Sequence, residues 1–464
     1  MKNKRREFVC QNCGSVTTRW SGRCLECNEW NTIVEGIAPQ QSQSRYHPLL
    51  SQVKTITTEM SKLNGDEQES SRLITDMSDL NRVTGGGFVQ GSAVLVSGPP
   101  GIGKSTLLLQ IASCLSQKDR PVVYISGEES IKQIQLRAKR LNVAESNVIL
   151  ASETNVDNIL SALTTMPPPA MVIVDSIQTL WTRSVDAAPG TVTQVRLSSQ
   201  MLITLAKSGD TAVILVGHVT KDGQIAGPRI IEHMVDTVLY FEGEGTDCFR
   251  ILRALKNRFG PTNEICIFEM LDNGLTEITS PSEVFLNERN RDTPGSAIFA
   301  GMEGSRPILL EVQSLVTPTS FGLPRRAVVG WDINRLAMIL AVMKAYCGIN
   351  TSEHDVYLNI AGGFRISEPA ADLAIAASLM SSISGIALSS NSVYFGEVGL
   401  SGAVRSAHNA AQRVSEAQRL GFSRYIIPQG NFVSLKAKNS AVEGINTITN
   451  LMSLISLNQE KGFI

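Results

Sequence analysis

The sequence of 464 residues lacks a dominant charge: 42 lysines and arginines stand against 43 aspartates and glutamates, for a formal net charge of −1. That excludes attachment to nucleic acid by bulk charge, so any such contact has to come from local basic clusters. Long apolar runs are missing too. Stretches such as LAMILAVM (336–343) fall well short of the roughly 20 residues that a helical membrane span needs. The basic N-terminus MKNKRREFVC is followed by no apolar segment, so no secretory signal is expected and the expected location is cytoplasmic. Nor do the eight cysteines read as a disulfide framework. Four crowd into the first 27 residues as two C-x-x-C pairs, whereas Cys114, Cys248, Cys266 and Cys347 are scattered like core thiols.

What is present suffices for two or three domains. Residues 1–35 form a module rich in Cys and Trp, and 36–68, with GIAPQQSQSRYHPLL and SKLNGDEQESS, read as a flexible linker. Over 69–280 short apolar strands (SAVLVSG, PVVYISG, MVIVDS, TAVILVGHV) alternate with helical stretches. Near-continuous apolar strands predict a buried, mainly parallel sheet with helices on both faces. From 281 to 464 strands and helices mix again, so the fold class is α/β throughout.

CQNC (10–13) and CLEC (24–27) are separated by ten residues. Each pair fits a tight knuckle, and four thiolates from Cys10, Cys13, Cys24 and Cys27 would close a tetrahedral Zn²⁺ shell. So short a segment buries little core, and metal binding would supply its folding energy, about 10 kcal/mol or more. Redox C-x-x-C chemistry needs a βαβ context that is missing here. Trp20 and Trp30 are expected to pack on the knuckles, with contact to a partner as the alternative.

GPPGIGKST follows the strand SAVLVS and opens the helix TLLLQIASCL, the context that G-x-x-x-x-G-K-[ST] requires. The expected ATP site is therefore Gly98, Pro99, Pro100, Gly101, Ile102, Gly103, Lys104, Ser105 and Thr106, with backbone N–H groups around the phosphates. Lys104 would reach the β- and γ-phosphates and Ser105 would hold Mg²⁺. MVIVD ends in Asp175, placed for the same Mg²⁺. YISGEES offers Glu128 and Glu129: one carboxylate to deprotonate the attacking water, the other to cap the next helix. His218 ends TAVILVGHV, either sensing the γ-phosphate or serving the structure. In KNRFG, Lys256 and Arg258 lie on one side of an extended segment, able to reach nucleotide or nucleic-acid phosphate or to face solvent at a turn.

Together these residues resemble the bacterial RadA (Sms) family of DNA repair proteins. The likeness covers the finger with W-S-G-R-C, GGGFVQGSAVLVSGPPGIGKSTLLLQ, YISGEES, VIVDSIQT, KNRFG and the tail GEVGLSGAVR…EAQRLGF. It implies a RecA-like ATPase core, related to ring helicases of the DnaB type, forming a homo-hexameric ring. Single-stranded and branched DNA would be its substrates, and branch migration beside RecA its task. It also implies Glu128 as the catalytic glutamate and Lys256, Asn257, Arg258, Phe259 and Gly260 as a motif for DNA or for ATP across a subunit interface. The loop 220–228 would contact single-stranded DNA through Lys221.

The C-terminal region resembles the Lon protease domain. EPAADLAIAASL (368–379) follows a glycine pair and reads as an exposed helix N-terminus, a platform for a nucleophile. In Lon that nucleophile is the Ser of a P-S-A-G turn, and its Lys partner lies after a G-E-(x)-x-L-x-G strand. Here Pro369 is followed by Ala370, Ala371 and Asp372, and Ala411 falls at the Lys position. With both halves of the dyad missing, peptidase activity is not expected. A Lon-type protease and an ATP-switched recombination scaffold are the rivals to a DNA motor. In the motor reading this region would be a ring-forming scaffold, with Arg325, Arg326 and Arg405 offered to DNA phosphates.

Overall fold

The computed structural model describes residues 7–10, 16–17, 19–25, 30, 33–36, 71–116, 120–218, 230–243, 249–286, 289, 293–320, 322–435 and 441–461. The chain divides into two compact units, Met1–Thr262 with Phe268–Glu277, and Asn263–Ile267 with Ile278–Ile464. Among the described residues no helix is long and apolar enough to cross a membrane.

At the N-terminus, Glu7–Cys10 pairs antiparallel with Val16–Thr17 on one side and Ile33–Gly36 on the other. Cys10, Cys24 and Ile33 are buried together, with Phe8 against them. This cluster is too small to hold a fold by apolar burial alone.

The core of the first unit alternates strands and helices. They are β1 (Ala93–Gly98), α1 (Lys104–Leu115), β2 (Val122–Ser126), α2 (Ile131–Arg140), β3 (Val148–Ser152), α3 (Val156–Thr164), β4 (Met171–Asp175), α4 (Val192–Lys207) and β5 (Ala212–His218). β6 (Thr237–Glu242), β7 (Phe249–Asn257), β8 (Ile265–Leu271) and β9 (Gly274–Glu277) then extend one edge. The nine-stranded sheet has the order β9-β8-β7-β6-β1-β5-β4-β2-β3. From β6 to β3 the pairing is parallel, and β6–β7 and β8–β9 are antiparallel.

Strand periodicity sorts the side chains. Ala93, Leu95, Val123, Ile125, Val172, Val174, Val213 and Leu215 share one cluster with Val156 and Ile159 of α3 and Val195 and Leu202 of α4. Their neighbours in sequence, Tyr124 and Ile173 among them, therefore point to the other face, where α1 packs on β2 and β4. Both faces are covered, which is why the strands are apolar throughout. The expected parallel sheet is present; the antiparallel extension was not anticipated.

The second unit holds a seven-stranded mixed sheet. Its elements are β10 (Ser296–Glu303), β11 (Arg306–Pro318), β12 (Arg326–Val329), α5 (Ile333–Cys347), β13 (His354–Ile360), α6 (Asp372–Ser384), β14 (Ser392–Tyr394), α7 (Ala410–Arg419), β15 (Arg424–Pro428) and β16 (Val442–Ile445). The order is β12-β13-β11-β10-β14-β15-β16. Helix α6 packs on β10 and β11, and Asp372–Ser381 are all buried.

Candidate functional site

Parallel register brings the polar ends of four strands together. Gly98 lies opposite His218, Leu215 opposite Val174, and Ser126 opposite Asp175. Ligand sites of open parallel sheets form at this carboxyl end. Here the loop 98–103 leaves β1 and turns into α1. Gly103 caps that helix at φ 111°, a left-handed conformation that a side chain would strain. The helix therefore starts with Lys104 and presents its first N–H groups to the loop.

Lys104 is buried, and its Nζ donates to the carbonyls of Gly98 at 2.8 Å and Pro99 at 2.9 Å. Burial pushes the ammonium down to about 8, against the pull of Asp175 and Glu128. The loop itself thus supplies the acceptors that phosphate oxygens would replace. Asp175 is buried at the end of β4 and accepts a 2.6 Å hydrogen bond from Tyr124 Oη. Burial and the Asp175 charge push the Tyr124 phenol well up. Lys104 feels the Asp175 charge, and Ser105 follows Lys104 in the first turn of α1; an ammonium, a hydroxyl and a carboxylate suit a nucleotide phosphate with Mg²⁺.

Glu128 and Glu129 part company. Ser126 Oγ accepts the N–H groups of both, at 3.3 and 2.9 Å. Glu129 then turns to an ion pair with Arg137 of α2. Glu128 instead accepts from Ser176 Oγ at 2.5 Å and lies 3.2 Å from His218 Nε2. Its carboxylate thus spans the ends of β4 and β5 while remaining 45% exposed. Helix capping falls to neither glutamate side chain: the Ser130 N–H donates to Gln133 Oε1 at 2.9 Å. Gly127 makes the turn possible, because a Cβ there would stand 1.9 Å from Thr179 Oγ1. Beside that turn, the Asp175–Ser176 peptide is cis.

KNRFG lies elsewhere. Lys256 pairs with Val238 and Asn257 with Thr237, and these face Leu95 and Val94 of β1. Val94 is four residues upstream of Gly98, so the motif sits about 13 Å along the strand direction from the phosphate loop, toward the amino end. There Lys256 Nζ donates to the carbonyls of Val235 (2.7 Å) and Glu232 (2.8 Å). Burial and the neighbouring Arg258 lower its pKa. Arg258 pairs with buried Asp236 at 3.1 Å and leaves 54% of its side chain exposed. Asn257 Oδ1 accepts the Phe259 N–H at 3.0 Å.

Of the remaining expected residues, Lys221, Cys13 and Cys27 lie outside the described residues. Cys10 and Cys24 share one buried cluster, as two ligands of one ion must. Trp20 and Trp30 depart from the packing expected of them, being 61% and 67% exposed. The Trp20 indole N–H donates to the Ile33 carbonyl at 3.0 Å, which fixes the ring by its polar edge and leaves its face outward.

The C-terminal platform is closed, contrary to the exposed helix start read from its sequence. Ala370 and Ala371 are buried in a 3₁₀ turn. Asp372, fully buried, receives two 2.6 Å bonds from Arg335 and the Val398 N–H at 2.9 Å. A carboxylate at the first turn of α6 suits the helix dipole. Glu368 alongside pairs with buried Arg413. Of the arginines expected to face DNA, Arg326 is turned inward to the Thr351 carbonyl at 2.8 Å, whereas Arg405 is 67% exposed beside Glu397.

Sequence reasoning missed Tyr124 and Ser176. A tyrosine inside an otherwise apolar buried strand needs a partner for its hydroxyl, and that signal pointed to Asp175.

Comparison with known proteins gives three family matches: an AAA domain over residues 61–224, a rubredoxin metal binding domain over 8–35, and the subunit ChlI of Mg-chelatase over 314–431. A DNA repair protein RadA from Brucella abortus is 55% identical over 98% of this chain and 98% of its own. One from Bacillus subtilis is 47% identical over 97% of this chain and 98% of its own. Among solved structures, the RadB recombinase is similar with a TM-score of 0.37 and 22% identity, covering 44% of this chain and 99% of that one.

Proposed function

The chain belongs to the RadA family of DNA repair proteins, and from that premise we propose that it is a DNA-dependent ATPase of homologous recombination. The carrying observation is the gathering of Lys104, Asp175 and Glu128 at one end of the sheet, with the KNRFG cations at the other. Loop N–H groups and the Lys104 ammonium bind the β- and γ-phosphates of ATP. Ser105 and Asp175 would hold Mg²⁺, which supplies positive charge for the transferred phosphoryl group. Glu128 takes a proton from water as the water oxygen attacks the γ-phosphorus and the bond to ADP breaks. Ser176 and His218 keep its carboxylate in place.

KNRFG is too far from its own phosphate loop to serve it. Its exposed Arg258 supports ATP bound at the neighbouring protomer of a homo-hexameric ring, completed in trans. His218, at the end of β5, contacts Glu128 and lies three residues before Lys221 in sequence, so engagement of single-stranded DNA by Lys221 would reach the base. We divide the chain into a Zn²⁺ finger of four cysteines (1–35), a linker (36–68), the motor (69–280) and a Lon-like scaffold without a dyad (281–464). The biological task is branch migration of recombination intermediates with RecA, in the cytoplasm.

The test is ATP turnover by the full chain with and without single-stranded DNA, together with extension of a joint molecule made by RecA. Stimulated turnover and extension of the joint are expected. Turnover indifferent to DNA, with no extension, would sink the motor. Joint extension by Glu128→Gln at the normal rate would favour a scaffold that ATP merely switches.

A further inference from the structure

The nucleotide cradle contains one side chain that the proposed chemistry does not use. Tyr124 is 1% exposed in the middle of β2, a strand otherwise apolar up to Ser126. It pairs with Ile173, so Tyr124 and Asp175, two residues further along β4, point to the same face of the sheet. Helix α1 packs on that face. The Tyr124 hydroxyl donates to Asp175 Oδ2 at 2.6 Å.

The donor inventory fixes the direction of this bond. The phenolic O–H donates and the Asp175 Oδ2 accepts, so the phenolic proton is spent on the carboxylate. Oδ1 of the same carboxylate is left for a cation. We propose that Tyr124 is a positioning residue for the divalent cation, holding Asp175 by Oδ2 with Oδ1 available. This rests on the reading of Lys104, Ser105 and Asp175 as a nucleotide and Mg²⁺ site.

A polar group behind a metal ligand fixes its orientation, and its loss commonly weakens metal binding 10- to 100-fold. Tyr124→Phe keeps the ring and removes the bond to Asp175. The measurement is equilibrium binding of a fluorescent ATP analogue with a non-cleavable β,γ bridge to the full-length protein, titrated with Mg²⁺. The Mg²⁺ midpoint is expected to rise about tenfold in Tyr124→Phe, while analogue binding in chelator stays within about twofold of wild type. A ring that merely fills space would leave the midpoint where it was, and that result overturns the proposal. Ser105→Ala separates the two levels of failure. If Ser105→Ala moves the midpoint and Tyr124→Phe does not, only the role of Tyr124 falls. If neither moves it, the metal cradle falls and the proposal with it. Should Tyr124→Phe not fold, 3-fluorotyrosine at position 124 keeps shape and hydroxyl. Its fluorine resonance should shift on adding Mg²⁺ to the analogue complex, and an unchanged resonance overturns the proposal.

Discussion

Ser176 donates to Glu128 across 2.5 Å, tying the candidate base to the residue that follows Asp175. Glu129, its neighbour in sequence, is instead committed to Arg137. The two glutamates should therefore behave oppositely on substitution. Glu128→Gln is expected to lower ATP turnover by at least about 100-fold, the ordinary worth of a general base, with ATP affinity changed only a few-fold. Glu129→Gln should keep turnover within a few-fold and cost about 1 kcal/mol or less of stability, because the lost pair is partly exposed. Steady-state kinetics and thermal melts of both variants decide it. A dead Glu129→Gln with an active Glu128→Gln would reverse the assignment.

The Lys104 ammonium gives the site a pH signature. Burial holds its pKa at about 8, below the ordinary 10.5. A lysine lowered in the folded state binds fewer protons there than in the unfolded chain between those two values. Its burial therefore penalises folding at neutral pH, and that penalty lifts as the pH rises from about 8 to 10.5. Bound phosphate favours the charged form, so ATP binding in metal-free buffer should take up about half a proton at pH 8 and most of one at pH 9, both above the range in which the ATP phosphate itself titrates. Calorimetry in buffers of different ionisation enthalpy reads this directly. Equal uptake at both values would show that Lys104 does not meet the phosphates.

The strands and the phosphate loop were legible because local rules fix them. SAVLVSG, PVVYISG, MVIVDS and TAVILVGHV carry their burial in composition, and GPPGIGKST carries its conformation in glycine. Long-range pairing is a different matter. Nothing near Glu128 in sequence says that Ser176, 48 positions away, will bond it; the β2–β4 register decides that. The same holds for KNRFG, whose distance from the phosphate loop follows from β6 pairing with β7. At 368–379 the letters show a helix start, but the closure of that start depends on Arg335, 37 positions before Asp372. Trp20 and Trp30 stay outside the cluster of Cys10, Cys24 and Ile33, which among the described residues of the finger is the small apolar core.

Arg335 and Asp372 make the C-terminal unit sensitive to a single charge. Removing one partner of a buried ion pair typically costs 3–5 kcal/mol. Asp372→Ala is therefore expected to destabilise residues 281–464 by about that amount, seen as a lower melting transition. Ala370→Ser should restore no cleavage of casein in the presence of ATP, since position 411 supplies no base. ATP-dependent proteolysis by either the wild type or Ala370→Ser would revive the protease reading.

The finger should come apart without the motor. Its buried set of Cys10, Cys24 and Ile33 cannot hold three short strands unaided, so chelation of zinc should change the emission of exposed Trp20 and Trp30. The ATPase core, with its own two-faced sheet, should keep its melting transition to within about 2 °C, because among the described residues the cluster that fills that sheet includes none from the finger. Released zinc, tryptophan fluorescence and circular dichroism follow the three events separately. Loss of the core transition together with zinc would show that finger and motor fold as one.

Arg258 provides the sharpest test of assembly. It lies at the amino end of the sheet and pairs with Asp236, whereas Lys104 lies at the carboxyl end. If each nucleotide is completed by a neighbour, Lys104→Ala destroys a subunit's own loop and Arg258→Ala destroys only what it gives the next. Each variant alone should lose at least about 100-fold in turnover, a modest loss for an arginine that stabilises phosphoryl transfer. In an equal mixture, some interfaces join an intact loop to an intact arginine. With random mixing these are one in four by simple probability, so activity should recover to roughly a quarter of wild type. Lys256→Ala should be milder, since its ammonium is already spent on the carbonyls of Glu232 and Val235. A mixture as inactive as its parts, formed by subunits shown to exchange, would overturn completion in trans.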